Sequence, residues 1–203
     1  MFDDKLRRLK DRLLGILDRG WIKYLTPNQV TSAAFGVGLG IPVFLYLGYN
    51  RTAFGLWIVN RILDGLDGLV ARKREMVSDF GGYYDILTDF IIYGSVPLAI
   101  ALREDSLSVY IAALLLITVF YINGASWMFL SGIMEKRKRR GVDESLPITT
   151  LEMPRGLIEG GETILFYSLF MLIPDAVVYL MLGMAALTAA GIIIRFLYAR
   201  KSI

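Results

Sequence analysis

The sequence predicts an all-α integral membrane protein with six transmembrane helices and an N-terminal amphipathic helix that lies in the membrane interface. Hydrophobic residues make up 55% of the 203-residue chain, and the mean hydropathy is +0.53. Soluble domains carry about 45–50% apolar residues. Here these residues are gathered into runs, several of which approach the ~20 residues that a helix needs to cross a bilayer.

Residues 1–24 form the predicted juxtamembrane segment, with an amphipathic helix over residues 2–22. Its apolar positions recur at helical spacing: Phe2, Leu6, Leu9, Leu13, Ile16 and Leu17. Its other faces carry Lys5, Arg7, Arg8, Lys10 and Arg12. This pattern is typical of a helix lying in the membrane interface. The segment is charged throughout and lacks an apolar core, so we expect no cleavable signal.

Residues 25–28 (Leu-Thr-Pro-Asn) break this helix and start the first of six spans. We predict the spans near 30–49, 53–71, 82–102, 108–133, 155–173 and 177–198. The chain has no internal repeat and no linker long enough to separate two domains. We therefore predict one six-helix transmembrane catalytic domain over residues 25–203.

The cations are unevenly distributed between the two sides of the membrane that these spans define. If the N-terminus is cytoplasmic, that side holds seven Lys or Arg residues before the first span and further ones at 72–74, 136–140 and 195–201. The opposite side holds only Arg51 and Arg103. Because cytoplasmic loops carry an excess of Lys and Arg, we expect both termini to be cytoplasmic. Arg61 and Arg155 lie inside or at the edge of spans and are candidates for function.

The residue types that the chain lacks restrict its chemistry. There is no cysteine and no histidine, so disulfides, thiolate metal sites and an imidazole general base are excluded. Any bound metal would have oxygen ligands, which favours Mg²⁺, Mn²⁺ or Ca²⁺.

Four aspartates are clustered at the predicted cytoplasmic ends of the second and third spans. Asp64 and Asp67 are at i and i+3 on one helix face, and Asp85 and Asp89 are at i and i+4 on another. At ~1.5 Å per residue, Asp89 lies only about 6 Å deeper than Asp85. All four carboxylates can therefore converge at one depth. Isolated aspartates near helix ends are most often solvated or capping residues, but four at these spacings favour binding of two divalent cations.

Small residues accompany the first aspartate pair. Gly68 and Ala71 follow Asp64 at i+4 and i+7 on the same side of the helix, which would let a bulky group approach the backbone. Arg72 follows at the interface, where a guanidinium could hold a phosphate oxygen. Taken alone, Arg72 is more typical of an ordinary positive-inside residue.

The pattern D-x2-D-G-x2-A-R-x8-G-x3-D-x3-D over residues 64–89 resembles the complete signature of the CDP-alcohol phosphotransferases. The resemblance implies a homodimeric integral membrane enzyme of phospholipid biosynthesis. It would transfer a substituted phosphoryl group from a CDP-alcohol, such as CDP-diacylglycerol or a similar CDP-lipid, to an acceptor alcohol and release CMP. The expected partners are these two substrates and the lipid bilayer, and no nucleic acid.

The resemblance also implies roles for the signature residues, with the site open to the cytoplasm. The metal ligands, for two Mg²⁺ or Mn²⁺ ions, would be Asp64, Asp67, Asp85 and Asp89. Asp89 would also act as the catalytic base. The residues around the CDP moiety would be Asp64, Gly68, Ala71, Arg72 and Gly81.

The acceptor site is less specifically predicted. Arg155, Glu159 and Glu162 are spaced to share one face near the cytoplasmic end of the fifth span, and we predict an acceptor pocket there. The alternative is an Arg155–Glu159 ion pair that stabilises the bundle. Asn123 and Ser126 favour an interhelical hydrogen bond over a place in the pocket. The acceptors that stay open are glycerol phosphate, inositol or its phosphate, serine, choline and another phospholipid.

Two other functions use clustered carboxylates in membranes. A cation transporter predicts acidic residues spread through the membrane depth, whereas these four lie at one level. An intramembrane, Mg²⁺-dependent prenyltransferase predicts two separate Asp-rich motifs, and this chain has one contiguous cluster.

Overall fold

The computed structural model describes residues 24–139 and 157–202, and within them the regular structure is helical throughout. The α-helices are α1 (Pro27–Tyr46), α2 (Asn50–Lys73), α3 (Asp79–Glu104), α4 (Leu107–Arg139), α5 (Gly160–Leu172) and α6 (Val177–Ser202). A short 3₁₀ turn, Pro174–Ala176, joins α5 to α6. The predicted all-α class is confirmed.

Each of the six predicted spans overlaps one helix, but the helices differ in whether they are long and apolar enough to cross a membrane. Four stretches are long and apolar enough: Pro27–Tyr46, Asp79–Glu104, Leu107–Arg137 and Pro174–Lys201. These confirm an integral membrane protein. Helix α2 has 24 residues but is interrupted by the charged residues Arg61, Asp64 and Asp67, and α5 has only 13 residues. The count of six spans and the amphipathic helix, whose residues 1–23 lie outside the described ranges, stay predictions.

The chain divides into two compact units, Met1–Arg103 and Glu104–Ile203. Among the described residues, the first unit contains α1–α3 and the second contains α4–α6. The predicted division at residue 24, with one catalytic domain after it, stays a prediction.

Helix α1 begins where the sequence predicts a break. Thr26 is its N-cap: the Gln29 backbone N–H donates to Thr26 Oγ1 at 3.4 Å, and the Thr26 backbone N–H donates to Gln29 Oε1 at 2.9 Å. This reciprocal pair satisfies two free backbone donors of the first turn. The Arg74 guanidinium, just after α2, donates to the Leu25 carbonyl. The start of α1 and the α2–α3 turn are therefore held at the same end of the first unit.

Gly38 sets the close approach of the three helices in the first unit. A Cβ built on Gly38 would lie 2.7 Å from Ile92 Cδ1 of α3 and 2.9 Å from Asn60 Nδ2 of α2. The Asn60 amide is fixed there because it donates to the Ala34 carbonyl of α1 at 2.8 Å. The fully buried side chains of this core include Ile41, Leu45, Trp57, Ile92 and Val96.

In the second unit, α4 and α6 pack together along an aromatic and methionine core. Tyr167 of α5 stacks on Phe120 of α4 with centroids 6.3 Å apart and contacts Phe170 at 5.2 Å. Met181 and Met184 of α6 are fully buried. Helix α5 begins at Gly160, later than the predicted start at 155. Residues 157–159 are not helical, because Glu159 serves as the helix cap.

We expect Gly38→Ala to lower the stability of the first unit, because the methyl group would collide with Ile92 and with the fixed Asn60 amide. Overpacking of this kind costs about 1–3 kcal/mol. The measurement is the thermal unfolding midpoint of the purified protein in detergent. Gly36→Ala in the same helix is the matched control, because a Cβ there meets nothing within 4 Å. Equal midpoints for the two variants would contradict the close approach at Gly38.

Candidate active site

The four aspartates of the cluster meet at one end of the first unit. Asp64 and Asp67 lie in the C-terminal half of α2, and Asp85 and Asp89 lie in the N-terminal half of α3. The short turn between the two helices returns the chain, so these halves are neighbours. Arg61 of α2 forms ion pairs with both Asp64 of α2 and Asp89 of α3. The two helices therefore bring the two aspartate pairs to the same end of the unit.

A buried arginine offsets part of this negative charge. Arg61 Nη2 donates to Asp89 Oδ1 at 2.8 Å, and Arg61 Nη1 lies 3.6 Å from Asp64 Oδ2. The Arg61 side chain is 7% exposed, whereas those of Asp64 and Asp89 are 30% and 26% exposed. The Arg61 guanidinium is therefore buried more deeply than the carboxylates of Asp64 and Asp89, which lie nearer the exposed side of the cluster.

The Arg61 guanidinium is held in one orientation by neighbours on two helices. Nε and Nη2 both donate to Asn60 Oδ1, at 2.9 and 2.6 Å, and Nη1 donates to Tyr93 Oη at 2.7 Å. Its central carbon lies 4.8 Å from the centroid of the Trp57 ring and 5.2 Å from that of Tyr93. Both separations are within the range of cation–π attraction.

The two remaining aspartates have different surroundings. The Thr31 hydroxyl of α1 donates to Asp67 Oδ2 at 2.6 Å, and both residues are buried. Asp85 Oδ1 is buried and has no hydrogen-bond partner in the described part of the chain. A buried carboxylate oxygen without a donor is costly, and it is a position where a bound cation would supply the missing interaction.

The donor chemistry of the cluster fits a hard divalent cation, because every candidate ligand is a carboxylate oxygen. In residues 24–139 and 157–202, no three acidic side chains are grouped closely enough to ligate one ion together. Arg61 already donates to one oxygen of Asp89, and Thr31 donates to one oxygen of Asp67. Ligation of one ion by several of these aspartates therefore requires rotation of their side chains.

The other signature residues surround the same end of α2 and α3. A Cβ on Gly68 would lie 3.2 Å from Arg72 Nη1, so the exposed Arg72 side chain lies over Gly68. Ala71 is half-buried beside it. Gly81 is in the first turn of α3, and its N–H donates to Ser78 Oγ at 3.1 Å. A Cβ on Gly81 would also lie 3.3 Å from Asn28 Oδ1 of α1.

Of the three residues predicted for the acceptor pocket, the structure describes two, and these two contact each other. Arg155 lies outside the described residues. Glu159 and Glu162 form a reciprocal capping box at the start of α5, in which the Glu159 N–H donates to Glu162 Oε2 at 3.1 Å. Both are exposed. The shared helix face predicted for residues 155, 159 and 162 is wrong at Glu159, because that residue precedes the helix.

Asn123 makes the interhelical hydrogen bond that the sequence favours. Its side-chain oxygen accepts from Arg195 Nη1 at 2.9 Å, and its carbonyl accepts from the same atom at 3.2 Å. Arg195 is 5% exposed, although the sequence predicts only a topological role for this cation.

Sequence reasoning identified Arg61 as a functional candidate but gave it no partner, and it missed Thr31, Asn60 and Tyr93. A signal for Arg61 was available, since an arginine three residues before an aspartate on an apolar helix must pair locally. The contacts of Thr31 and Tyr93 depend on how three helices pack, and no local pattern encodes them.

Known proteins provide an independent comparison. The inner membrane protein YnjF of Escherichia coli strain K12 is 32% identical over 171 residues, covering 84% of this chain and 79% of that protein. A CDP-diacylglycerol–serine O-phosphatidyltransferase of Helicobacter pylori is 39% identical over 80 residues, which are 38% of this chain and 33% of that enzyme. The second match therefore covers only a part of each protein.

The fold matches that of a solved structure. The crystal structure of Mycobacterium tuberculosis phosphatidylinositol phosphate synthase with CDP-DAG bound superposes with a TM-score of 0.68 at 20% identity, over 95% of this chain and 94% of that one. The family model for CDP-alcohol phosphatidyltransferase matches residues 24–194, which include all four aspartates. By this match, the chain belongs to the CDP-alcohol phosphatidyltransferase family.

Proposed function

We propose that the protein transfers a phosphatidyl or similar substituted phosphoryl group from CDP-diacylglycerol, or another CDP-lipid, to an acceptor alcohol and releases CMP. The observation that carries this proposal is the meeting of both halves of the signature at one end of α2 and α3. Arg61 of α2 links the two halves there, because its guanidinium lies 3.6 Å from Asp64 of the same helix and 2.8 Å from Asp89 of α3. Gly68 and Arg72 lie on the adjacent turn of α2.

Two Mg²⁺ or Mn²⁺ ions would be held by Asp64, Asp67, Asp85 and Asp89. When bound, divalent cations stabilise the negative charge that develops on phosphate oxygens during transfer. Asp85 Oδ1 supports this assignment, because it is buried and has no hydrogen-bond partner within residues 24–139 and 157–202. The M. tuberculosis synthase has also been crystallised in complex with manganese and citrate, which supports a divalent cation in this fold.

The reaction needs a base, and we assign this role to Asp89. The acceptor oxygen attacks the β-phosphorus and forms the new P–O bond, while the bond from that phosphorus to the bridging oxygen breaks and CMP leaves with the electron pair. The proton of the acceptor hydroxyl passes to the Asp89 carboxylate. A carboxylate is the natural acceptor in a chain without histidine. Asp89 is 26% exposed, so a substrate can reach it.

The nucleotide would lie over the turn of α2 that carries Gly68, Ala71 and Arg72, with Gly81 and Asp64 beside it. Gly68 leaves room for close approach, and the exposed Arg72 guanidinium over it offers donors to a phosphate oxygen. The CDP-DAG bound to the M. tuberculosis synthase supports a CDP-lipid as the substrate of this fold.

The membrane arrangement follows from the same assignment. The lipid chains of the substrate would stay in the bilayer while soluble CMP leaves to the cytoplasm. The positive-inside distribution of Lys and Arg favours a cytoplasmic location for both termini and for the carboxylates. The family resemblance supports a homodimer.

The acceptor is to be identified by experiment. Purified protein in mixed micelles is given CDP-diacylglycerol, Mg²⁺ and one of glycerol 3-phosphate, inositol 1-phosphate, inositol, serine or choline, and CMP release is measured. One acceptor should raise CMP release well above the rate with water alone. No stimulation by any alcohol, with a correctly folded protein, would count against the proposal.

Chelation should abolish the activity, since only oxygen ligands are available and the carboxylates repel one another without a cation. We expect CMP release to vanish in EDTA and to return with Mg²⁺ or Mn²⁺. Asp67→Asn and Asp85→Asn should weaken Mn²⁺ and CDP binding together, because the phosphates share the cations. Full CMP release in metal-free buffer would contradict the mechanism.

Asp89→Asn should separate the base from the other ligands. We expect turnover to fall by roughly 10²-fold or more, the usual scale for loss of a general base, with CDP-lipid binding largely retained. Equilibrium binding of the CDP-lipid and single-turnover rates measure the two effects. If this variant loses nucleotide binding as completely as Asp67→Asn does, Asp89 is a ligand and not the base.

Arg155→Ala tests the predicted acceptor pocket. We expect the KM for the acceptor to rise while the KM for the CDP-lipid stays within about twofold, because removal of a positive charge weakens binding of a phosphorylated or carboxylate-bearing acceptor. Glu162→Gln is measured in parallel, because Glu162 belongs to the same predicted pocket and accepts the capping hydrogen bond at the start of α5. A loss of thermal stability alone in Arg155→Ala would indicate the ion-pair alternative.

A further inference from the structure

Arg61 lies within the acidic cluster but is not part of the signature that identifies the family resemblance. We propose that Arg61 is a positioning residue for the transfer reaction. It fixes Asp89 through Oδ1 and keeps one positive charge among the four carboxylates whether or not a metal is bound. The inference rests on the proposed function, since it concerns the orientation of the proposed base.

The geometry of the guanidinium supports this role. Its three nitrogen atoms donate to Asn60 Oδ1, to Tyr93 Oη and to Asp89 Oδ1, all within 2.9 Å. A planar group with donors on several edges can make these bonds at once, whereas an ammonium has a single nitrogen centre. Rotation of Arg61 would break several short bonds together, so Asp89 is held by a rigid partner.

The partners of Arg61 are themselves fixed. The Asn60 amide donates to the Ala34 carbonyl of α1 at 2.8 Å and is 2% exposed. Tyr93 lies one turn after Asp89 on α3, so Arg61 bonds to two residues on the same face of that helix. A continuous chain of hydrogen bonds therefore runs from the α1 backbone through Asn60 and Arg61 to Asp89.

The charge of Arg61 makes a second, separable contribution. A fixed cation beside carboxylates repels a divalent cation that binds to them. A neutral side chain at this position should therefore strengthen metal binding even as it frees Asp89. A purely structural role of Arg61 would weaken both metal binding and turnover, or neither.

The test compares Arg61→Gln, which removes the charge, with Arg61→Lys, which keeps the charge and loses the planar donors. Mn²⁺ affinity is measured on purified protein by the electron paramagnetic resonance signal of free Mn²⁺, and kcat and KM are measured by CMP release. Arg103→Gln is the matched control, because Arg103 donates to Asn50 at 2.6 Å at the other end of α3. The control should leave all three quantities unchanged.

For Arg61→Gln we expect Mn²⁺ to bind roughly tenfold more tightly and kcat to fall about tenfold or more, with the CDP-lipid KM changed by less than about threefold. For Arg61→Lys we expect Mn²⁺ affinity close to that of the wild type and a similar loss of kcat. Unfolding midpoints should also differ: Mn²⁺ should stabilise Arg61→Gln more than the wild type.

Unchanged kcat in both variants, or weaker Mn²⁺ binding in Arg61→Gln, would overturn the inference. If Arg61→Gln does not fold, Arg61→Lys and Tyr93→Phe test the inference in its place. Tyr93→Phe removes the hydrogen bond to Arg61 Nη1 and keeps the aromatic ring. Both should then lower kcat without changing Mn²⁺ affinity, and wild-type kcat in both would overturn the inference. Failure of the proposed function is distinguishable, because the wild type would then release no CMP with any acceptor.

Discussion

The cost of placing ionised carboxylates among apolar helices is the constraint on which the first unit depends. Asp64, Asp67, Asp85 and Asp89 lie in the halves of α2 and α3 that a short turn joins. Such groups persist in or near hydrocarbon only when they are paired, solvated or bound to cations. The Arg61 guanidinium supplies one permanent positive charge at 2.8 Å from Asp89. The remaining negative charge is what makes this end of the unit suited to divalent cations.

The packing of α1 serves the same cluster. Gly38 lets α1 approach Asn60 and Ile92 closely, and this approach brings the Ala34 carbonyl to the Asn60 amide. Thr31, which lies one turn before Ala34 on α1, donates to Asp67. A helix without a signature residue thus orients both halves of the site, through Asn60 and Arg61 toward Asp89 and through Thr31 toward Asp67.

The helical class, the approximate helix positions and the aspartate cluster could be predicted because each depends on local pattern. Apolar runs mark the helices, and spacing of three or four places each aspartate pair on one face. The partner of Arg61 could not be predicted, since Asp89 is 28 residues away on another helix. The predicted acceptor pocket depends on a helix face starting at 155, but the Glu159–Glu162 capping box starts α5 at Gly160. The capping-box rule does not give this start, because it expects Ser or Thr at the N-cap, where this chain has Glu159.

The proposed chemistry requires that the carboxylates of α2 and α3 form one divalent-cation site for phosphoryl transfer. The location of Mn²⁺ can be measured by anomalous diffraction from crystals grown with Mn²⁺ and a CDP-alcohol. We expect Mn²⁺ between Asp64 and Asp67 of α2 and Asp85 and Asp89 of α3, in contact with the diphosphate. Mn²⁺ bound away from these four side chains, with the diphosphate also elsewhere, would contradict the proposed site.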